Sequence, residues 1–367
     1  MFDRSDRIRA RLRAPLLLAG VVALLWFAVE SLVYRSGAYY ALAAPESNAG
    51  AVVNALLMLE GQYRPGVRSV LVLGDSRVAE GFSGPLAGAG SELAFINMAV
   101  PGSTPRTWYY LLREIERRGY RFEAVLVGML YRPVGSLLSD WPLAPSQDVA
   151  LIGVSDVFAY PASYAGPAMR TRARQALLFP ALTLRSDTLD LLQSPRQRWR
   201  QLYEFRPGFI SYVPLYPGRE QRMPQLPFSD GKVLDWSAVG AAERALAQTH
   251  LAELAAPIDP AIRAANARYL TQWLGAMAEL AARNDARLIV FPLPRGPYQE
   301  ALGATVDPSL VQAVASVAGA IALPVDLLQS LEQPAYFFDG LHANRSGREQ
   351  ISAVVGARVR AALDGRD

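Results

Sequence analysis

Apolar and polar positions along this chain fall into blocks whose period changes several times. The first block is the longest. From Ala14 to Val33 nearly every residue is apolar. A helix over that run, at 1.5 Å per residue, spans about 30 Å, one bilayer core. Short runs rich in Val, Leu and Ile follow at 67–74, 92–100, 122–130, 286–294 and 322–328. Bounded by glycine, proline or charge, they read as buried parallel strands. Helical patterns lie between them at 104–120, 260–285, 309–321 and 345–363. Strands alternating with helices predict right-handed crossovers and an α/β fold, its mostly parallel sheet covered on both faces.

Two stretches stand outside that alternation. Residues 35–66 read as a linker with a lead-in helix, "NAGAVVNALLMLEGQ". Residues 132–260 are rich in prolines and aromatics, and the expectation is an irregular insertion within a domain at 67–367, placed to cover a site. Within it, "RPGFISYVPLYPG" (206–218) has two readings, an aromatic platform for a saccharide or packing for the insertion.

The charge around the apolar block gives it a direction. "MFDRSDRIRARLRAP" carries five arginines against two aspartates. The positive-inside rule then puts residues 1–13 in the cytoplasm, a span over 14–34 in the inner (cytoplasmic) membrane, and the domain on the periplasmic or extracellular side. Trp26 and Tyr34 suit the interfaces. A cleaved signal peptide with "ALAA" (41–44) as its small-residue site is the competing reading. The run is long for that, and the site lies far beyond it.

Composition removes several classes of function. There is no cysteine, which excludes disulfides, thiolate metal sites and a cysteine nucleophile. Only His250 and His342 are present, so a metal site built on several histidines is out of reach, and no metal or cofactor is expected. The net charge is +4, but the basic residues are scattered and Lys232 is the only lysine. No basic helix interleaved with aromatics appears, so no nucleic-acid partner is expected.

The chemistry concentrates at two places. "VLVLGDSRVAEGF" (70–82) runs an apolar strand into Gly-Asp-Ser-Arg, and such sheets form their sites at the carboxyl ends of strands. "YFFDGLHANRSGRE" (336–349) sets Asp339 three residues before His342. A serine becomes nucleophilic when an imidazole can take its proton and a carboxylate fixes the tautomer of that imidazole. Ser76, His342 and Asp339 supply those parts. Asp75 reads as a turn residue. Arg77, Arg132 and Arg295 are candidates for holding a carboxylate or phosphate on a substrate. His250, in the helical stretch "ALAQTHLAELAA", reads as a packed or solvated side chain.

"GDSR" and "DGLHANRSG" resemble the first and last blocks of the SGNH (GDSL-like) hydrolase family, and "NMAVPGSTP" (97–105) resembles the second. The resemblance covers roughly residues 67–363. It implies a three-layer α/β/α fold, a serine nucleophile at Ser76, and cleavage or transfer of acyl esters. The N–H groups of Ser76 and Gly102 would form the oxyanion hole. One block departs from the pattern. Where the family has an asparagine donor, this chain reads "VGMLYRPVG" (127–135). Tyr131 or Arg132 could stand in for it. The gap resembles membrane-linked members that acylate cell-envelope polymers, such as the D-alanine transfer protein of teichoic acid and, more loosely, the alginate O-acetylation proteins. That likeness implies a polysaccharide acceptor and a membrane-bound O-acyltransferase partner that delivers the acyl group. A plain esterase or deacetylase on a small acyl ester, and a non-catalytic assembly subunit, are the other two readings.

Overall fold

The computed structural model describes residues 4–132, 135–229, 232–299 and 306–365. Four of the five apolar runs and a short strand at 320–322 form one parallel sheet. β1 (Ser69–Leu73) lies between β2 (Ala94–Asn97) and β3 (Ala124–Met129). β6 (Arg287–Pro292) and β7 (Ala320–Ala322) extend it to the order β2-β1-β3-β6-β7. A two-stranded hairpin, β4 (Phe228–Ser229) and β5 (Lys232–Val233), stands apart.

Successive side chains point to opposite faces of a strand, and here both faces are buried. Leu71, Leu73, Val125, Val127, Leu288 and Val290 enter one apolar cluster. Val70, Val72, Ala124, Leu126, Ile289 and Phe291 enter another. That is why each strand reads as an unbroken apolar run. The first face is covered by α2 (Asn48–Gln62), α5 (Pro105–Arg117), α14 (Pro260–Ala282) and α15 (Pro308–Ala315). The second is covered by α3 (Ser76–Gly81), α4 (Gly84–Gly88) and α16 (Arg345–Leu363).

Three expectations need correction. The segment 35–66 is more than a linker, because Ala55, Leu56 and Leu59 of α2 are core residues. The last strand occupies 320–322 instead of 322–328, since Pro324 follows it, and the preceding helix stops at Ala315. The insertion at 132–260 is largely helical. It contains α6 (Ala144–Asp148), α7 (Ala159–Ala162), α8 (Pro167–Leu178), α9 (Pro180–Thr183), α10 (Arg185–Gln193), α11 (Pro195–Arg200), α12 (Arg206–Tyr212) and α13 (Ala241–Ala255). Five of these, α6, α8, α9, α11 and α12, carry proline in the first turn. Proline is well suited there, its fixed φ being helical and its missing N–H costing no bond. Five of the prolines that suggested irregularity are helix starters, whereas Pro217, Pro224 and Pro227 lie in residues 216–227, which form neither helix nor strand, as that stretch was read.

At the N-terminus, α1 (Arg4–Glu30) continues through a wider turn at Ser31–Arg35. Its segment Pro15–Arg35 is long and apolar enough to cross a membrane.

The return of the chain from β1 into α3 is a tight one. A Cβ on Gly74 would lie 2.2 Å from Val78 Cγ2, and one on Gly128 would lie 2.4 Å from the same atom. The two glycines form the slot in which Val78 docks α3 onto the sheet. Gly74→Ala is expected to lower stability by about 1–3 kcal/mol, as overpacked cores do. Adding Val78→Ala should return part of that loss. Urea unfolding midpoints of the two variants check it, and an unchanged midpoint for Gly74→Ala would refute the slot.

Candidate active site

Counting only the strands of the main sheet, their order is 2-1-3-4-5, which reverses direction beside β1. Ligand crevices in open α/β sheets form outside the carboxyl ends of strands at such a switch point. Ser76 begins α3 there, three residues past the end of β1. Asp75 caps the helix, its carboxylate accepting the Arg77 N–H at 2.9 Å and pairing with the Arg77 guanidinium. Asp75 is the structural residue it was read as. Its carboxylate occupies Arg77, the first of the candidate substrate arginines. The first N–H groups of a helix have no partner within it, and that of Ser76 is among them.

The loop after β2 is tied to the same turn. The Gly74 carbonyl accepts the Val100 N–H at 2.9 Å and the Ser103 hydroxyl at 3.2 Å. Trp108 Nε1 donates in turn to Ser103 Oγ at 2.6 Å. These bonds carry Gly102, in the left-handed region at φ +69°, alongside the serine turn. The insertion props the loop from outside. Trp141 Nε1 donates to the Gly102 carbonyl at 2.6 Å, and Gln147 Nε2 to the Pro101 carbonyl at 2.9 Å.

The third segment is the turn before α16. Asp339 Oδ1 accepts the N–H groups of Leu341 at 2.8 Å and His342 at 2.7 Å. Asp339 Oδ2 lies 2.9 Å from His342 Nδ1, and His342 Nε2 lies 2.9 Å from Ser76 Oγ. Burial works to raise the Asp339 carboxyl, but the bonds from the His342 ring and the two N–H groups outweigh it, and its pKa is lowered. An ionised Asp339 accepts a hydrogen bond from the Nδ1–H of His342, which leaves the Nε2 lone pair facing the serine hydroxyl. Ser76, His342 and Asp339 all remain partly open to solvent.

Two side chains of this site escaped the sequence reading. The Phe338 ring stacks on His342 at 5.6 Å and 14°. Arg219, from the insertion, lies over the Phe338 ring, 4.5 Å from its centroid. Phe338 could have been found from its place beside Asp339. Arg219, Trp141 and Gln147 had no local signal, because their contacts are made by the folded insertion.

Two other candidates are displaced from the role expected of them. Arg295 is buried, and its guanidinium forks onto the buried carboxylate of Glu332, with Nε 2.9 Å from Oε1. That pair satisfies the charge inside the protein, so Arg295 is a structural cation and not a substrate ligand. Tyr131 is buried in the first core cluster, and desolvation raises its pKa. A phenol packed among core side chains is not the donor that was sought for the open site. Arg132, half-buried, follows Tyr131 beyond the end of β3.

His250 is packed, not solvated. It is 2% exposed, neither ring nitrogen has a hydrogen-bond partner among the described residues, and its ring lies against Gly296 and Gly340, next to Asp339. Burial, helped by the charge of Arg132 and opposed by Asp339, lowers its pKa to about 4. Among the described residues no group of three or more acidic, histidine or cysteine side chains is placed to hold a metal ion.

No protein-family model matches the chain, and no curated protein matches it. The functional reading therefore stands on the residues and their geometry.

His250 makes stability depend on pH in a defined window. Above pH 6.5 the imidazole is neutral folded or unfolded, and its contribution is complete. As pH falls from 6.5 to about 4, the unfolded chain takes up a proton that the folded protein refuses, and stability drops. The loss reaches about 3 kcal/mol, at 1.36 kcal/mol per pKa unit. His250→Met should flatten urea unfolding free energies across that window relative to wild type. Parallel curves for the two proteins would show that His250 is not the group responsible.

Proposed function

We propose that this chain is a membrane-anchored serine enzyme of the SGNH type, which transfers acyl groups carried as esters to hydroxyls of a cell-envelope or secreted polysaccharide. One observation carries the reading: the continuous hydrogen-bond chain from Ser76 Oγ through His342 to Asp339. The three-block resemblance, the parallel sheet with helices on both faces and the apolar N-terminal span support it.

In the first half-reaction, Ser76 Oγ attacks the carbonyl carbon of the donor ester while its proton passes to His342 Nε2. Asp339 balances the imidazolium charge. The N–H groups of Ser76 and Gly102 hold the oxyanion. The donor C–O bond breaks, the leaving oxygen recovers the proton from Nε2, and the acyl group remains as an ester on Ser76. In the second half, a sugar hydroxyl gives its proton to Nε2 and its oxygen attacks the acyl carbon. The new ester leaves and Ser76 recovers its proton. Water in place of the sugar hydroxyl gives the free acid instead. On the outer side of a membrane the donor has to be delivered across it, which is the part assigned to a membrane-bound O-acyltransferase partner.

The hole has two backbone donors and no asparagine. Loss of one oxyanion donor costs roughly 100- to 1000-fold in rate in a known protease. Slow turnover of simple esters follows from that.

Fluorophosphonate labelling of the full-length protein, located by mass spectrometry, tests the reading. The expected result is one adduct, on Ser76, absent in Ser76→Ala and slowed by at least about 100-fold in His342→Ala, the scale of general-base catalysis. No adduct on correctly folded protein would overturn the enzyme reading. With an activated acetyl ester as donor and an oligosaccharide as acceptor, acetylated sugar supports transfer, and acetate alone assigns the site to hydrolysis.

A further inference from the structure

The end of the apolar helix is not free-standing. Glu30 is buried, and its carboxylate accepts the Ala181 N–H at 3.1 Å. The Tyr34 hydroxyl meets Thr188 at 3.2 Å, and the Arg35 guanidinium donates to the carbonyls of Leu177 and Leu178 at 3.1 and 2.9 Å. Just beyond, Arg198 donates to the Leu42 carbonyl at 2.8 Å, and Arg206 to that of Ala41 at 2.9 Å. Helices α8 to α12 thus surround residues 30–43. Ala181 docks at Glu30, five residues before the end of the apolar segment Pro15–Arg35. At 1.5 Å per residue that is about 7 Å inside the end.

The outer side of these helices is unusual for a surface in water. Leu182, Leu192, Trp199, Tyr203 and Phe205 are all exposed, Leu192 at 71% and Trp199 at 57%. The Trp199 and Tyr203 rings lie 4.1 Å apart. Arginines 170, 172, 174, 185, 196 and 200 are exposed, against Asp190 and Glu204 as the exposed acids between residues 167 and 212. Aromatics and leucines interleaved with arginines, beside a membrane-spanning segment, are the composition of an interfacial helix layer.

We propose that α8–α12 form a collar lying on the bilayer around the outer end of α1, and that anionic lipid occupies its exposed face. The apolar side chains enter the boundary between headgroups and acyl chains, and the arginines meet lipid phosphates. The proposal rests on α1 spanning the membrane and is independent of the serine chemistry. Hydrogen bonds link the segment after α1 to the loop of Gly102. The Tyr40 hydroxyl holds the Val149 carbonyl at 2.7 Å, Asn48 holds Ser146 at 2.9 Å, and the neighbouring Gln147 holds the Pro101 carbonyl beside Gly102.

A chain without cysteine allows single cysteines to be introduced into the full-length protein. Nitroxide labels at Leu25→Cys, Leu192→Cys, Trp199→Cys and Val325→Cys are compared in nanodiscs of phosphatidylcholine with phosphatidylglycerol. Each is read by its relaxation with oxygen against a water-soluble nickel chelate. Residue 25 lies in the span and residue 325 just past the edge strand β7. Labels at 192 and 199 should favour oxygen several-fold over the label at 325, with residue 25 the deepest. If 192 and 199 match 325 while 25 stays immersed, the collar does not touch lipid and its face serves a protein partner instead, which overturns the proposal. A water-exposed label at 25 overturns it together with the span. Combining Arg172→Glu, Arg196→Glu and Arg200→Glu should make the labels at 192 and 199 shallower in discs with phosphatidylglycerol and leave them unchanged in phosphatidylcholine alone. Equal behaviour in both lipids would overturn the anionic part of the assignment.

Discussion

A guanidinium sealed from water governs how the parts of this molecule sit together. Arg106 is fully buried, its centre 3.5 Å from the ring centroid of Tyr164 and flanked by Tyr160 and Tyr269. Its Nε lies 3.7 Å from Asp148, and its Nη1 donates to the Ser139 carbonyl and the Ser163 hydroxyl, both at 3.1 Å. Burial pushes the Asp148 carboxyl up to about 6, against the pull of Arg106 and the hydrogen bond from Tyr160. An uncompensated charge in such a place costs several kcal/mol. Arg106 comes from the first turn of α5, directly after the Gly102 loop. Its partners come from residues 139–164 and from α14. The insertion cannot lift away without stranding that charge, so it is part of the domain and not an appendage.

The candidate site inherits its rigidity from that arrangement. One carbonyl, that of Gly74, binds the serine turn to the glycine loop. Trp141 and Gln147 then hold the loop from the insertion side, and the insertion is held by Arg106. In the proposed function, a hole built from backbone N–H groups works only if those groups stay fixed as charge develops. Here the fixing comes from outside the sheet, through side chains that belong to the insertion.

This division explains what could be read in the chain beforehand. Strands buried on both faces announce themselves as apolar runs, and four of the five fell where expected. The lead-in helix and the amphipathic 260–282 helix were legible from their period. Ser76, Asp339 and His342 were legible because each sits in a short local pattern. Arg295 was misjudged because Glu332, the partner that neutralises it, lies 37 residues away and no local spacing reveals it. Tyr131 follows a strand, and sequence does not say whether such a side chain turns to the site or to the core. The insertion was misread because proline at a helix start and proline in a loop look alike until the following turn is seen.

The three residues of the candidate site have different histories along the chain. Asp339 and His342 are three residues apart and meet within one turn, whereas Ser76 and His342 are 266 residues apart. Contacts that close so large a loop come only with assembly of the whole sheet. During synthesis the Ser76 hydroxyl is made 266 residues before the His342 imidazole. Until the turn before α16 docks, Ser76 has no imidazole beside it. In the proposed function, reactivity at that oxygen is therefore a certificate of completed folding, issued by the molecule itself, and a half-made or misassembled copy has no means of holding an acyl group.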